Sequence, residues 1–194
     1  MDITAGILAG GKSSRMGCNK ALLPHGRENF LEHMVSALHD FDEVLISVDD
    51  PAHWGTLPCA AVADELTGFG PVEGIYQLLR RASHPYLLVV ATDMQHITAD
   101  FLRDFTARLR PEDKCMVLCD GDLLEPLCSV YHKDLLPLLE QLRREGICRP
   151  RALFSRAPVH YVRLDELGYG PEIVANINTR QDYAALLESE RQES

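Results

Sequence analysis

Apolar positions along this chain follow two alternating periods. Short, mainly apolar runs at residues 3–8, 43–48, 60–63, 86–91, 116–119, 127–131 and 159–162 have the length and flanking residues of strands. Between them, apolar residues recur at helical spacing over 30–38, through 74–79, and over 101–109, 135–144 and 179–190. Pro71 suits the first turn of the second helix, and Thr179 suits the N-cap of the last. This alternation predicts an α/β fold with a single doubly wound, mostly parallel sheet. The run 86–91 is dense enough to be a central strand buried on both faces. No repeat or linker interrupts the pattern, so residues 1–194 are expected to form one domain, with polar residues 188–194 fraying.

Charge narrows the function classes. A net charge of −10 disfavours a general nucleic-acid or anionic-membrane binder, though not a local site for a nucleotide. No apolar run approaches the roughly 20 residues that span a bilayer, and the first residues lack a signal-peptide pattern, so a cytoplasmic chain is expected. The six cysteines, none in a C-x-x-C pair, are then expected to be reduced. The eight histidines are scattered, and no zinc site is read.

The most informative stretch follows the first strand: Leu8-Ala9-Gly10-Gly11-Lys12-Ser13-Ser14-Arg15-Met16-Gly17-Cys18-Asn19-Lys20. Glycines let backbone N–H groups approach a ligand, and successive N–H groups form an anion-binding concavity. Arg15 adds a planar cationic fork and Lys20 a point charge. Such a loop suits a nucleoside triphosphate; the plain alternative is a solvated surface turn. Residues 6–13 also match G-x-x-x-x-G-K-[ST] letter for letter. The context argues against a P-loop. Gly6 lies inside the apolar run, and Gly17, Asn19, Pro24 and Gly26 intervene before any helical pattern.

Three further clusters join this loop. In doubly wound folds, ligands bind outside the carboxyl ends of the strands. Asp93 ends the buried run 86–91, where a carboxylate needs a partner such as a magnesium ion; otherwise it is a turn or cap aspartate. Asp64 follows the third strand in a loop with Gly68 and Gly70, and there a nucleotide role and a turn role are both open. Asn176 and Asn178 alternate before the last helix, as heterocycle partners or as turn chemistry. His96 is read as a loop residue lining the site.

These residues carry a resemblance. Leu8 to Lys20 fits L-A-G-G-x-S-x-R-M-G-x-x-K, the opening signature of the nucleotidyltransferases that include the molybdenum cofactor guanylyltransferases (the molybdopterin-guanine dinucleotide biosynthesis protein A family). Asp64 with Gly70-Pro71 and Gly74, Asp93-Met94, Glu125-Pro126-Leu127 with Tyr131, and Asn176-Ile177-Asn178-Thr179 resemble later landmarks of that family, in order. The resemblance implies a Rossmann-like fold of the nucleotide-diphospho-sugar transferase type. Its N-terminal part would bind nucleotide and its C-terminal part the acceptor. It implies Mg2+-dependent transfer of GMP from GTP to molybdenum-loaded molybdopterin, releasing pyrophosphate.

By that match Leu8, Ala9 and Gly10 would contact guanosine through backbone, and Gly11, Arg15 and Lys20 would hold the triphosphate. Asp93 would bind the metal, Asp64 would assist at the nucleotide, and Asn176 and Asn178 would lie on the pterin side. Molybdoenzyme chaperones or other proteins of the cofactor pathway are the further partners it suggests. Ala91 and Gln95 stand where the family has prolines, and Ser47-Val48-Asp49-Asp50 where an asparagine often follows the second strand. A molybdopterin cytidylyltransferase and a non-catalytic nucleotide-binding accessory protein are the rival readings.

Overall fold

The computed structural model describes residues 2–9 and 19–193. In chain order its elements are β1 (Ile3–Leu8), β2 (Pro24–His25), β3 (Glu28–Asn29), α1 (Phe30–Ala37), β4 (Val44–Val48), β5 (Ala60–Ala63), α2 (Pro71–Arg81), β6 (Tyr86–Ala91) and α3 (Ala99–Thr106). The second half adds β7 (Cys115–Asp120), β8 (Leu123–His132), α4 (Leu136–Arg144), α5 (Arg151–Phe154), β9 (His160–Arg163), α6 (Leu164–Leu167) and α7 (Arg180–Glu193). A 3-10 turn at Lys20–Leu22 precedes β2.

Seven strands form one sheet in the order β5-β4-β1-β6-β8-β7-β9. All run parallel except β8, which is antiparallel to both β6 and β7. The sheet is therefore mostly parallel, as the alternation implied. The central strand β6 has one parallel and one antiparallel neighbour. From β1 the chain builds outward through β4 and β5, then returns by α2 to place β6 on the other side of β1. Strand order reverses there, so a crevice opens beyond the ends of β1 and β6. Apolar layers cover both faces. One joins Ile7, Val90, Leu118 and Cys128 to Ala21, Met34, Met94, Phe101 and Val174. The other joins Leu87, Val89, Val117 and Tyr131 to Val72, Leu78, Leu139 and Leu153.

Local chemistry starts the helices. Asn29 and Glu32 form a reciprocal capping box on α1, with bonds of 2.9 and 3.0 Å. Thr98 caps α3, and Thr179 caps α7 by accepting from the Asp182 N–H at 3.1 Å. Gly70, with φ of 110°, turns the chain into α2, and Pro71 occupies its first turn. Close packing of α2 on the sheet also needs Gly74: a Cβ there would lie 2.5 Å from Leu8 Cδ2 and 2.7 Å from Ser47 Oγ.

The strand read over 127–131 is longer, because β8 takes in Glu125 and Pro126 through an irregularity in its ladder. Val117 faces Ser129, but Leu118 faces Glu125, so Pro126, Leu127 and Cys128 loop out of the pairing with β7. A proline is tolerated at such a break. Ser129 Oγ closes it by donating to the Glu125 carbonyl at 2.6 Å, and the Tyr131 hydroxyl donates to Pro126 O at 2.7 Å.

Candidate functional site

The crevice brings together three residues far apart in sequence. Lys20, in the first turn after the glycine-rich stretch, reaches across the end of β6. Its Nζ lies 3.3 Å from Asp93 Oδ2 and donates to Asn178 Oδ1 at 2.8 Å. The lysine and aspartate side chains are 16% and 23% exposed, so the pair is mostly shielded from solvent. Backbone bonds fix each partner. Asn19 Oδ1 accepts from the Ala21 N–H and caps the turn that carries Lys20. The Ile177 N–H donates to the Asp93 carbonyl at 2.8 Å. Asp182 Oδ2 accepts from the N–H groups of Asn178 and Thr179.

Asn176 and Asn178 are exposed on either side of buried Ile177, as their alternation implied. Asn178 touches Lys20, and the Asn176 amide bonds to no described residue. Oδ1 of Asp93 accepts no hydrogen bond from any described residue, which leaves one oxygen for a ligand. No group of three or more potential metal ligands occurs among the described residues. A single-carboxylate site remains compatible with Mg2+, which takes one or two carboxylates plus phosphate oxygens and water.

Residues at the end of β1 are held by their neighbours. The Ala9 N–H donates to Ser47 O, and Leu8 O accepts from both the N–H and the hydroxyl of Thr92. Gly6 pairs with Leu45 on one side and Val89 on the other. It is a strand residue and cannot open a P-loop. Gly10, expected at the guanosine, Gly11 and Arg15, expected at the triphosphate, and Lys12 lie outside the described residues.

Asp64 stands at the same edge of the sheet but apart from Asp93. From β5 to β6 is three strand spacings, roughly 14 Å. Ser47 Oγ donates to Asp64 Oδ1 at 2.9 Å. Burial pushes the Asp64 carboxyl up to about 6, with Glu73 and Asp49 adding to it and the Ser47 bond opposing.

Sequence reasoning missed the groups that hold these loops. Glu73, fully buried on α2, accepts from the N–H groups of Glu65 and Leu66, from Gln77 Nε2 and from the Arg143 guanidinium. Arg143 also reaches Glu65 and stacks 4.2 Å from the Tyr76 ring centroid. Gln95, where the family has proline, is buried and donates to Phe30 O and Thr92 O while pairing with His25. That departure ties the end of β6 to the start of α1 by side-chain bonds. A glutamate two residues after Pro71, at the head of the apolar helical run, was the one available signal for the Glu73 clamp.

Comparison with known proteins bears on the family and the fold. Residues 5–161 match the family described as the MobA-like NTP transferase domain. A protein of Carboxydothermus hydrogenoformans named "Probable molybdenum cofactor guanylyltransferase" is 33% identical over 189 residues, covering 96% of this chain and 95% of that one. In fold, the chain is similar to molybdopterin-guanine dinucleotide biosynthesis protein A of Archaeoglobus fulgidus, with a TM-score of 0.85, 20% identity, and coverage of 97% and 99%. It is similar as well to a Mycobacterium tuberculosis protein crystallised in complex with manganese, with a TM-score of 0.71, 19% identity, and coverage of 97% and 100%. No described helix is long and apolar enough to cross a membrane. By sequence match and by fold, this chain belongs to the MobA-like NTP transferase family.

Proposed function

We propose that this protein transfers GMP from GTP to molybdenum-loaded molybdopterin, forming the guanine dinucleotide cofactor and pyrophosphate. The observation that carries the reading is the meeting of Lys20, Asp93 and Asn178 at the switch point of the sheet. The name of the relative that is 33% identical over nearly the whole chain supports the same substrates.

In this reading the terminal phosphate of the pterin attacks the α-phosphorus of GTP. A new P–O bond forms as the bond to the β-phosphate breaks, and pyrophosphate leaves. Lys20, steadied by Asn178, sits where it can neutralise charge on the phosphates, and Arg15, five positions earlier in the sequence, serves the departing pyrophosphate. Asp93 would hold a divalent cation, Mg2+ in the first instance, through Oδ1. When bound, such an ion polarises the phosphoryl oxygens and offsets their charge. The manganese in a fold neighbour is compatible with that assignment. The rate gain comes from positioning and preorganised charge rather than from a strong base.

Asp64, at the β5 end of the edge, assists at the nucleotide. Since the Ala9 N–H and the Leu8 carbonyl are engaged within the sheet, contacts to the nucleoside fall to the Ala9 carbonyl and to Gly10 and Gly11. Nucleotide therefore lies over the β1–β4–β5 half, formed by the N-terminal part of the chain. The acceptor lies over the half formed by the C-terminal part, where Asn176 and Asn178 stand.

The test is pyrophosphate release with Mg2+ and each of GTP, CTP and ATP, with and without molybdenum-loaded molybdopterin. Release with GTP that requires the pterin is the expected result. Pterin-dependent release with CTP alone would replace the base assignment, and no release with any nucleotide would favour a binding accessory protein.

A further inference from the structure

Glu125 is a half-buried carboxylate that the proposed chemistry leaves unused. It sits near the start of β8, and because β8 is antiparallel to β6, that start lies at the carboxyl edge of the sheet. Glu125 faces Leu118 in the ladder, and residues directly opposite project to the same face. That face carries the apolar layer containing Ala21, Met94 and Val174, which underlie the loops bearing Lys20, Asp93 and Asn178. Cys128, in the same layer, faces Val90 on β6 and feels the Glu125 charge. Glu125 is thus placed about one strand spacing, roughly 5 Å laterally, beyond the end of β6.

Its backbone is fixed while its carboxylate is not. Ser129 holds the Glu125 carbonyl, but the carboxylate oxygens accept no hydrogen bond from any described residue. Burial raises its pKa, with Asp120 adding to the effect and Arg151 opposing it. A carboxylate held in a partly desolvated place with no donor among the described residues gains most from a ligand that brings two of them.

We propose that Glu125 accepts the paired N–H donors of a 2-amino-4-oxopyrimidine edge, that of the pterin acceptor. This rests on the guanylyltransferase reading above. Guanine carries the same donor pair, so the side of the sheet decides between the two sources. Asp64 and Ser47 lie on the β5–β4–β1 side of β6, whereas Glu125 lies on β8, on its far side. The pterin is then read by Glu125 while its terminal phosphate points back toward Lys20 and Asp93.

The test measures KM for molybdopterin and for GTP separately in wild type, Glu125→Gln and Glu125→Ala, with GTP affinity measured by calorimetry. Losing two charge-assisted bonds should raise the pterin KM about 10- to 100-fold in Glu125→Ala, and less in Glu125→Gln, with KM for GTP within about twofold. Both variants should keep the wild-type melting temperature, since no internal side-chain bond is lost. An unchanged pterin KM overturns the assignment. A raised KM for GTP overturns it in favour of guanine recognition, and a lower kcat with both KM values unchanged overturns it in favour of a chemical role. A wild type with no pterin-dependent release would sink the guanylyltransferase reading itself, and the Glu125 assignment with it.

Discussion

Replacing Glu73 by alanine should destabilise the fold more than any substitution at the proposed catalytic groups. Glu73 is fully buried, and its carboxylate joins four groups from three segments. The Arg143 side chain is 11% exposed and donates to both Glu73 oxygens, at 2.5 and 3.2 Å. Removing one member of a buried pair leaves the other charge uncompensated, at about 3–5 kcal/mol. Several details set where in that range the loss falls. Arg143 keeps Glu65 and the Tyr76 ring. The N–H groups of Glu65 and Leu66 belong to exposed residues and can turn to water. The Gln77 amide, on a residue only 3% exposed, cannot do so readily, and an unpaired buried donor costs about 1–3 kcal/mol.

A loss near 4 kcal/mol is therefore expected. At about 2–4 °C per kcal/mol for a chain of this length, the melting temperature should fall by about 8–16 °C. Differential scanning calorimetry of Glu73→Ala and Arg143→Met, with the double variant, closes the cycle. The double variant should be less damaged than the two losses combined, because no charge is then left alone. A Glu73→Ala melting temperature within about 3 °C of wild type would refute the reasoning.

Asp93→Asn should keep the melting temperature and lose metal-dependent turnover by about three orders of magnitude; near-normal pyrophosphate release would sink the metal assignment. Lys20→Ala should impair turnover far more than Lys12→Ala, and the reverse order would revive the P-loop reading rejected on the position of Gly6. Asp64 is neutral below about pH 6, so KM for GTP should rise as pH falls through that value, and Asp64→Asn should remove the dependence. A limb that survives the substitution would assign it elsewhere. His33, whose pKa is lowered first by burial and then by His25, contributes stability above its unfolded value of about 6.5. The unfolded chain takes up its proton first, so that contribution is lost as pH falls through 6.5 toward the folded value. Urea titrations of His33→Gln should show a flatter loss between pH 7 and pH 5, and an identical slope would clear His33. Gly74→Ala should cost about 1–3 kcal/mol through overpacking against Leu8 and Ser47, read as a lower urea midpoint.

Much of this arrangement was legible because its determinants are local. Apolar runs bounded by turn residues gave β1 and β6 to the residue, since a buried parallel strand has few other readings, and β5 too, although it is a largely exposed edge strand. Caps at Thr179 and a proline at 71 announced their helices for the same reason. The orientation of β8 was not legible. A short run of strand-forming residues says nothing about direction, and the break at Pro126 depends on which strands it meets. The bond from Lys20 to Asn178 joins residues 158 positions apart. Each looked ordinary in its own segment, and only the strand order makes them neighbours. Gln95 read as a defect in the pattern because its three partners come from other segments or other turns.

The site's rigidity follows from where those neighbours are anchored. Lys20 stands in the first turn of a capped 3-10 helix, Asp93 just past a strand buried on both faces, and Asn178 just before a helix whose cap reaches back to its own N–H. None of the three depends on the others for its backbone position, apart from the bond that Ile177 makes to the Asp93 carbonyl. Charges so held need little reorganisation when a phosphate arrives, which is the condition for electrostatic stabilisation to favour the transition state. It also accounts for a chain of net charge −10 serving polyanions. Beyond about 8 Å, salt screens the long-range repulsion, and within that distance a few fixed donors and cations decide the outcome. Glu125 obeys the same logic with the sign reversed. Its backbone is pinned at the break in β8, and in the proposed reading its carboxylate, which accepts no hydrogen bond from any described residue, would meet a neutral edge rich in N–H donors, while the phosphates would fall to Lys20.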